Sequence, residues 1–449
     1  MVDEVDVVVL GLGPGGEALA TRLAKAGLEV VGIDRHLVGG ECPYYGCIPT
    51  KMIVRAADAL EEARRVSGLA GDADVTPSWQ PVAARIASEA TDSWDDTVAV
   101  ERLKSAGVRF VRGHGRLVAR RQVEVEGSGF AARRGVVLNT GTTPAVPPID
   151  GLADTPYWTN RDAVAVRELP GSLVVIGGGA IGAELAQSFS RFGVQVTVLE
   201  AADRILPPEE PEAGALVARV FAREGIRVLP GASIESVRYD DGRFAVRLSA
   251  EEVGADKLLV ATGRRPNIGD VGLAAVGLDP SARAIDVDDR MRAGDGLWAI
   301  GDITGKGGFT HVSMYQSAVA ARDILGEPGP GADYRAVPRV TFTDPEVGSV
   351  GMTEAQARQA GLRVRVGTTD LSSSTRGWIH GGEGLIKLVE DADRGVLVGA
   401  TVVAPGGGEV LSMMTTAVHA EVPTDTLRSM IYAYPTFHRA VESALADLS

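Results

Sequence analysis

The chain has only two cysteines in 449 residues, Cys42 and Cys47, which excludes the disulfide-dense scaffold of a small secreted protein. Histidine is also scarce. None of His36, His114, His311, His380, His419 and His438 groups with the cysteines at zinc spacing, so no metal site is expected. Positive charge is in deficit: 45 Lys and Arg stand against 59 Asp and Glu, a formal net charge of −14. Such a surface lacks the basic patches that nucleic acid and anionic membranes require, and neither is expected as a partner. No run of about 18 apolar residues occurs that could cross a bilayer. The N-terminal MVDEVDVVVLGLG carries no basic segment ahead of its apolar run. The expected location is the cytoplasm.

What is present is organised around one short stretch and two repeats. The length is that of about three domains. Both cysteines fall in GGECPYYGCIPTK, residues 39–51. A disulfide closing so short a loop stabilises by only about 2 kcal/mol on the chain-entropy argument, and two thiolates without further ligands make a poor zinc site. Reversible redox chemistry remains, with an inert buried pair as the alternative.

Residues 5–10 form an apolar, β-branched run that leads into GLGPGG, an Ala/Leu-rich helical stretch over 15–25, and a second strand over 29–33 that ends at Asp34. Gly11, Gly13 and Gly16 are in G-x-G-x-x-G register. The first glycine permits a tight turn, the second lets a pyrophosphate approach the backbone, and the third lets helix and strand pack closely. The unit recurs over 173–200, with Gly177, Gly179 and Gly182 in register and Glu200 closing the strand. Asp34 and Glu200 each lie 23 residues after the first glycine of their unit. Two copies with one spacing predict two dinucleotide sites. A second repeat, VVLNTGTTP (136–144) and LLVATGRRP (258–266), places Thr140, Gly141 and Gly263 where each nucleotide domain closes, among its cofactor-binding residues. LWAIGDITG (297–305) is a short strand whose end presents Asp302, and the Gly/Pro-rich 325–338 reads as a linker to an α+β block.

With IPTK after the second cysteine and FTDPEVGSVGMTE (342–354), these segments resemble the pyridine nucleotide-disulfide oxidoreductase family over essentially the whole chain. The resemblance implies an α/β fold of two Rossmann-like dinucleotide-binding domains, for FAD and NAD, and an α+β C-terminal dimerisation domain. The implied boundaries are 1–150 and 270–337 for FAD, 151–269 for NAD, and 338–449 for the interface of a homodimer. It implies that Gly11, Gly13, Gly16 and Asp34 hold the adenosine diphosphate of FAD and that Asp302 holds its ribitol. His311 would begin the helix aimed at the flavin pyrimidine edge; the alternative is an unreactive packed or solvated histidine. Cys47 is the implied thiol on the flavin side, Cys42 the thiol on the substrate side, Lys51 the cation near flavin N5, and Glu184 its ion-pair partner. Glu200 would accept the ribose hydroxyls of NAD and repel the extra phosphate of NADP, with only Arg204 nearby to oppose it. Electrons would run from NADH through FAD to a Cys42–Cys47 disulfide and on to a small-molecule acceptor.

One segment departs from the resemblance. The disulfide reductases end in His-Pro-Thr-x-x-Glu, a histidine from the second subunit serving the thiols as acid and base. Here YAYPTFHRAVE (432–442) puts Tyr434 at the histidine position and Arg439 at the glutamate position. Tyrosine titrates near pH ~10 and is a poor proton carrier at neutral pH. Three roles are open to Tyr434: interface packing, a weak acid or hydrogen-bond donor, or a metal-facing group. His438 and Glu442, one helical turn apart, form either a replacement dyad or a surface pair. Glu41, Tyr44 and Tyr45 replace the smaller residues that relatives often carry beside the first cysteine. The expectation is an acceptor other than lipoamide: a quinone, a metal ion, an electrophile or another disulfide. Mercury fits poorly, because mercuric reductases add a C-terminal cysteine pair that this chain lacks. The alternatives are a dihydrolipoamide dehydrogenase with a replaced base and a flavin–thiol redox sensor without turnover.

Overall fold

The structure, a computed structural model, describes residues 2–449. The chain divides into two compact units. The first runs from the N-terminus to Pro49 and takes in Ala84–Ala145 and Arg264–Tyr334; the second comprises Thr50–Ala83, Val146–Gly263 and Arg335–Ser449. Among the described residues no helix is long and apolar enough to cross a membrane.

The first unit is built on an eight-stranded sheet. Val2–Leu10 lies between Val30–Asp34 and Ser128–Leu138, all parallel, and Val108–Arg112 extends the sheet beyond Val30–Asp34. Leu297–Ala299 adds in parallel to Ser128–Leu138. Val7, Val8 and Val9 are all fully buried, because a parallel strand covered on both faces has no solvent side and its residues need not alternate. One face packs on the helices Pro14–Lys25 and Thr310–Leu325 through Leu19, Leu23, Val319 and Ile324. The other packs on Leu117, Phe130, Ile268 and Leu273. The carboxyl ends of the strands bring Gly11, Asp34 and Asn139 to one edge, where open α/β sheets bind ligands.

The second unit repeats the motif. Ser172–Ile176 lies between Gln195–Glu200 and Lys257–Val260 in a parallel four-stranded sheet, and the helix Ala180–Arg191 follows its glycine turn. A three-stranded antiparallel sheet, Ile234–Asp240, Arg243–Leu248 and Glu252–Ala255, accompanies it. The α+β block is a five-stranded antiparallel sheet from Pro338 to Ala404, with the helices Gly407–His419 and Ala440–Ala446 packed on it. No element lies between Leu325 and Pro338, in keeping with the Gly/Pro content there.

The glycine repeat has a steric origin that the structure makes explicit. Gly11 and Gly177 have φ +91° and +106°, and a Cβ on either would overlap a neighbouring backbone oxygen, of Asn139 and Ala261 respectively. A Cβ on Gly16 or Gly182 would overlap the carbonyl oxygen of Gly11 or Gly177. Those four glycines are required by the fold itself. Gly182→Ala must push the helix Ala180–Arg191 off its strand, and we expect a loss of about 1–3 kcal/mol in urea unfolding; an unchanged midpoint would refute the close-packing argument.

Candidate functional site

The helix Cys47–Arg65 carries the redox motif. Cys47 opens it, and Lys51 stands one turn later on the same face. Cys47 therefore lies in the first turn, at the positive end of the helix. Lys51 Nζ is 2.6 Å from Glu184 Oε2 and lies 4.5 Å from the centre of the Phe342 ring. Glu184 is almost fully buried, and its second oxygen accepts the Phe342 N–H at 2.9 Å. Both carboxylate oxygens are therefore satisfied, and the lysine is held in one position.

Sequence reasoning missed what fixes that carboxylate. Glu184, Gln187 and Arg191 share one face of the helix Ala180–Arg191, and all three are buried. Gln187 accepts from the Asp344 N–H and donates to the Asp344 carbonyl, so it pairs with both backbone groups of one residue. Arg191 bridges Asp58, Glu224 and Asp344 at 2.7–2.8 Å. Asp344 also receives Arg65, and these two guanidinium groups outweigh burial and hold its carboxyl below the usual range. The segment Phe342–Asp344 is thereby locked to the helix that carries Glu184. The FTDPE spacing was the only sequence signal.

Both cysteines are thiols, Cys42 half-buried and Cys47 exposed. A hydrogen bond with Cys47, and then burial, push the Cys42 thiol far above its ordinary range. The Cys47 sulfur lies 3.4 Å from Thr310 Oγ1, at the start of the helix Thr310–Leu325. His311 follows Thr310 in that first turn and stacks on Phe309, with ring centres 5.2 Å apart. Glu41, expected beside Cys42 as an added carboxylate, is paired with Arg264 at 3.3 Å. Arg264 in turn donates to Thr142 Oγ1, and Thr142 donates to Asp302 at 2.8 Å. A continuous polar chain therefore joins the residue before Cys42 to Asp302, and neither Arg264 nor Thr142 was singled out from sequence.

The two glycine turns have the same wiring. Asp34 accepts from the Leu12 and His36 N–H groups, both at 2.7 Å; Glu200 accepts from Gly178 at 2.6 Å and Ala202 at 2.8 Å. Thr140 and Gly141 sit at the C-terminal end of the neighbouring strand, tied to Asn267. Gly263 holds the matching place beyond Lys257–Val260, with φ +114°. Gly13 and Gly179 differ from their companions. Their φ values of −64° and −73° suit any residue, and an added Cβ would meet nothing closer than 3.4 Å at Gly13 and nothing within 4 Å at Gly179. Intrachain packing does not require glycine there, whereas a group lying against the backbone would. Neither helix has a side-chain cap, which leaves their N-terminal N–H groups to an anion such as a pyrophosphate. The residues fit two dinucleotides.

The C-terminal departures resolve in part. The Tyr434 hydroxyl donates to Thr375 Oγ1 at 3.2 Å, and the ring is exposed. Arg439 pairs with Glu442 at 2.7 Å, so Glu442 is engaged by Arg439 and the His438–Glu442 dyad is not formed. His438 instead lies against the Tyr432 ring. Among the described residues no group of three or more His, Cys, Asp or Glu could hold a metal ion.

Residues 5–322 match the profile for pyridine nucleotide-disulphide oxidoreductases, and residues 337–445 match the dimerisation domain of the same proteins. The chain belongs to this family. Its members are flavin-dependent enzymes that use a pyridine nucleotide, and so is this protein. It is 34% identical to the dihydrolipoyl dehydrogenase of Thermus scotoductus over 99% of this chain and 97% of the relative. It is 33% identical to the mercuric reductase of Acidithiobacillus ferrooxidans over 98% and 82%. Among solved structures it is similar to the HOCl-induced flavoprotein disulfide reductase RclA of Escherichia coli, with 28% identity and a TM-score of 0.86 over 98% of this chain and 99% of that one. LpdA of Mycobacterium tuberculosis matches at 26% identity and TM-score 0.86, over 99% of each chain.

The glycine argument separates binding from folding. Gly179→Ala is expected to leave the urea midpoint within about 0.5 kcal/mol of wild type while raising the KM for the pyridine nucleotide about tenfold, since the methyl occupies the pyrophosphate's approach. A stability loss equal to that of Gly182→Ala would show that Gly179 serves packing.

Proposed function

We propose that the protein reduces a small acceptor with electrons from NADH by way of FAD and the Cys42–Cys47 pair, and that the acceptor needs no general base, as a quinone does not. Bound to the chain, FAD would supply the chemistry that links hydride from the nicotinamide to the two-electron reduction of the disulfide. The remaining tasks fall to this chain's residues. Gly11, Gly13, Gly16, Asp34, Thr140, Gly141, Asp302 and His311 hold FAD, within 1–150 and 270–337; Gly177, Gly179, Gly182, Glu200 and Gly263 hold NADH, within 151–269. Lys51, fixed by Glu184, supplies the positive charge that favours reduced flavin and a thiolate. Arg204 is the one cation next to Glu200, and it is occupied by Asp203 and the Pro207 carbonyl, which supports NADH over NADPH. The protein acts as a cytoplasmic homodimer through 338–449, a segment that leaves Ile431 99% and Tyr434 69% exposed.

The observation that carries the choice of acceptor is the Tyr434 hydroxyl, which donates to Thr375 Oγ1, and the raised value of Cys42 agrees with it. The Cys42 proton is held by Cys47 and by burial, while the position at which relatives supply a histidine is Tyr434. Attack on a disulfide such as lipoamide requires the Cys42 thiolate. A quinone instead takes two electrons together with two protons; the Cys42 thiol and Cys47 thiolate deliver both electrons and one proton, and solvent delivers the other. Reduction of a metal ion is the second reading, favoured by the Cu(II) complex in which the Escherichia coli neighbour was solved; the ion would then be substrate at the thiols.

Anaerobic titration with NADH should give a long-wavelength thiolate-to-flavin band at two-electron reduction, lost in Cys47→Ser; a wild-type protein that never shows it has no working redox disulfide. In steady state, NADH should exceed NADPH in kcat/KM by at least about tenfold. Lipoamide reduction should be slow at pH 7 and rise with pH. The sign follows from the raised Cys42 value: the thiolate fraction grows up to about tenfold per pH unit on its acid side. Tyr434→His should raise lipoamide turnover at pH 7 by at least about tenfold and flatten that profile. Lipoamide turnover in wild type that is already fast and pH-independent would establish a dihydrolipoamide dehydrogenase instead.

A further inference from the structure

The segment Asp92–Trp94 is the most unusual backbone in the first unit. Asp92, Ser93 and Trp94 have φ of +47°, +57° and +60°, three consecutive non-glycine residues in the left-handed region, which L-residues normally enter singly. The turn is held between two buried anchors. Thr91 donates to the Ile86 carbonyl at 3.0 Å, and Asp96 accepts from the Val38 N–H at 2.7 Å and from Arg112. Trp94 is only half-buried, and it belongs to neither core that flanks the sheet. Core packing therefore does not explain the strain.

What the turn does is set the indole against the redox loop. Trp94 Nε1 donates to the Tyr44 carbonyl at 3.1 Å, which fixes the ring. The ring stacks with Tyr45 at 6.5 Å between centres and 28° between planes. Tyr45 is three residues beyond Cys42 and caps the short helix Glu41–Tyr44 that carries it. Strained backbone that persists at a reactive site is a sign of function, and here it sets two electron-rich rings against each other on the loop that follows Cys42.

We propose that Tyr45 and Trp94 form a stacking platform for a planar, electron-poor acceptor, a quinone, next to Cys42; this rests on the reading of the function given above. Offset stacking binds such a ring by its face and needs no acid or base. The step balances: the Cys42 thiol and the Cys47 thiolate close to a disulfide, and their two electrons and one proton, with a second proton from solvent, convert the quinone to the hydroquinone. NADH then restores the thiol–thiolate pair through the family's established route.

The test uses the FAD-loaded protein and tetramethyl-1,4-benzoquinone, whose ring is fully substituted so that thiols cannot add to it. Trp94→Leu should raise the KM for this quinone about tenfold with kcat retained, weaken its equilibrium binding to the oxidised protein in parallel, and Trp94→Phe should restore both. An unchanged KM, or equal losses in kcat with the quinone and with the non-planar oxidant ferricyanide, would reduce Trp94 to a prop for the loop and overturn the platform. The two readings fail separately. Quinone that binds in a Trp94-dependent way without being reduced sinks the function and keeps the platform, whereas quinone reduced equally well by Trp94→Leu does the reverse. Wild-type protein that does not bind the quinone overturns the platform.

Discussion

The contact between Lys51 and Glu184 is the constraint on which the rest of the second unit's chemistry depends. A carboxylate as buried as that of Glu184 is tolerable only when charge and hydrogen bonds compensate it, and removing one partner of a buried pair typically costs several kcal/mol. Glu184 meets the requirement with one cation and one backbone N–H. The backbone N–H belongs to Phe342, whose ring also lies against the Lys51 ammonium. Three segments far apart in sequence are therefore fixed by a single group: the redox helix, the helix after the second glycine turn, and the FTDPE strand end. Gln187 and Arg191 extend the same lock along the helix, so the position of the lysine is set by a network of side chains and does not rest on one flexible chain.

How much of this was legible follows from the kind of physical requirement each residue meets. Gly11, Gly16, Gly177 and Gly182 answer to local sterics, and local sterics leave a repeat that sequence displays directly. The acids that close each unit also answer to a local rule, since their oxygens return to the turn 22 residues earlier. The parallel strands announced themselves as unbroken apolar runs because both faces are covered. The polar chain from Glu41 through Arg264 and Thr142 to Asp302 left no such trace, because its members are joined across 261 positions by distance alone. The same holds for Gln187 and Arg191, polar residues on a helix face that composition would assign to solvent. Spacing suggested a His438–Glu442 pair; the structure gives Glu442 to Arg439, an equally near neighbour with a permanent charge.

The two cysteines divide the site into halves with different origins. Around Cys47 stand the first turn of its helix, Thr310, and Lys51 with its carboxylate. Around Cys42 stand Glu41, Tyr44 and Tyr45 with the strained turn that carries Trp94.

The loss of the histidine and its glutamate reads as a single change. A histidine flanked by a carboxylate is held ready to take a proton; Tyr434 and Arg439 put a phenol in its place and reverse the charge at the orienting position. Cys42 shows no compensating shift toward the thiolate. It lies instead where a hydrogen bond and burial both keep it protonated. A thiol so held is a poor nucleophile but a sound carrier of a proton and an electron together. On the function proposed above the acceptor side is consistent within itself: Tyr434 stands where a base would, the Cys42 thiol is held toward its protonated form, and two aromatic rings stack on the loop that follows it.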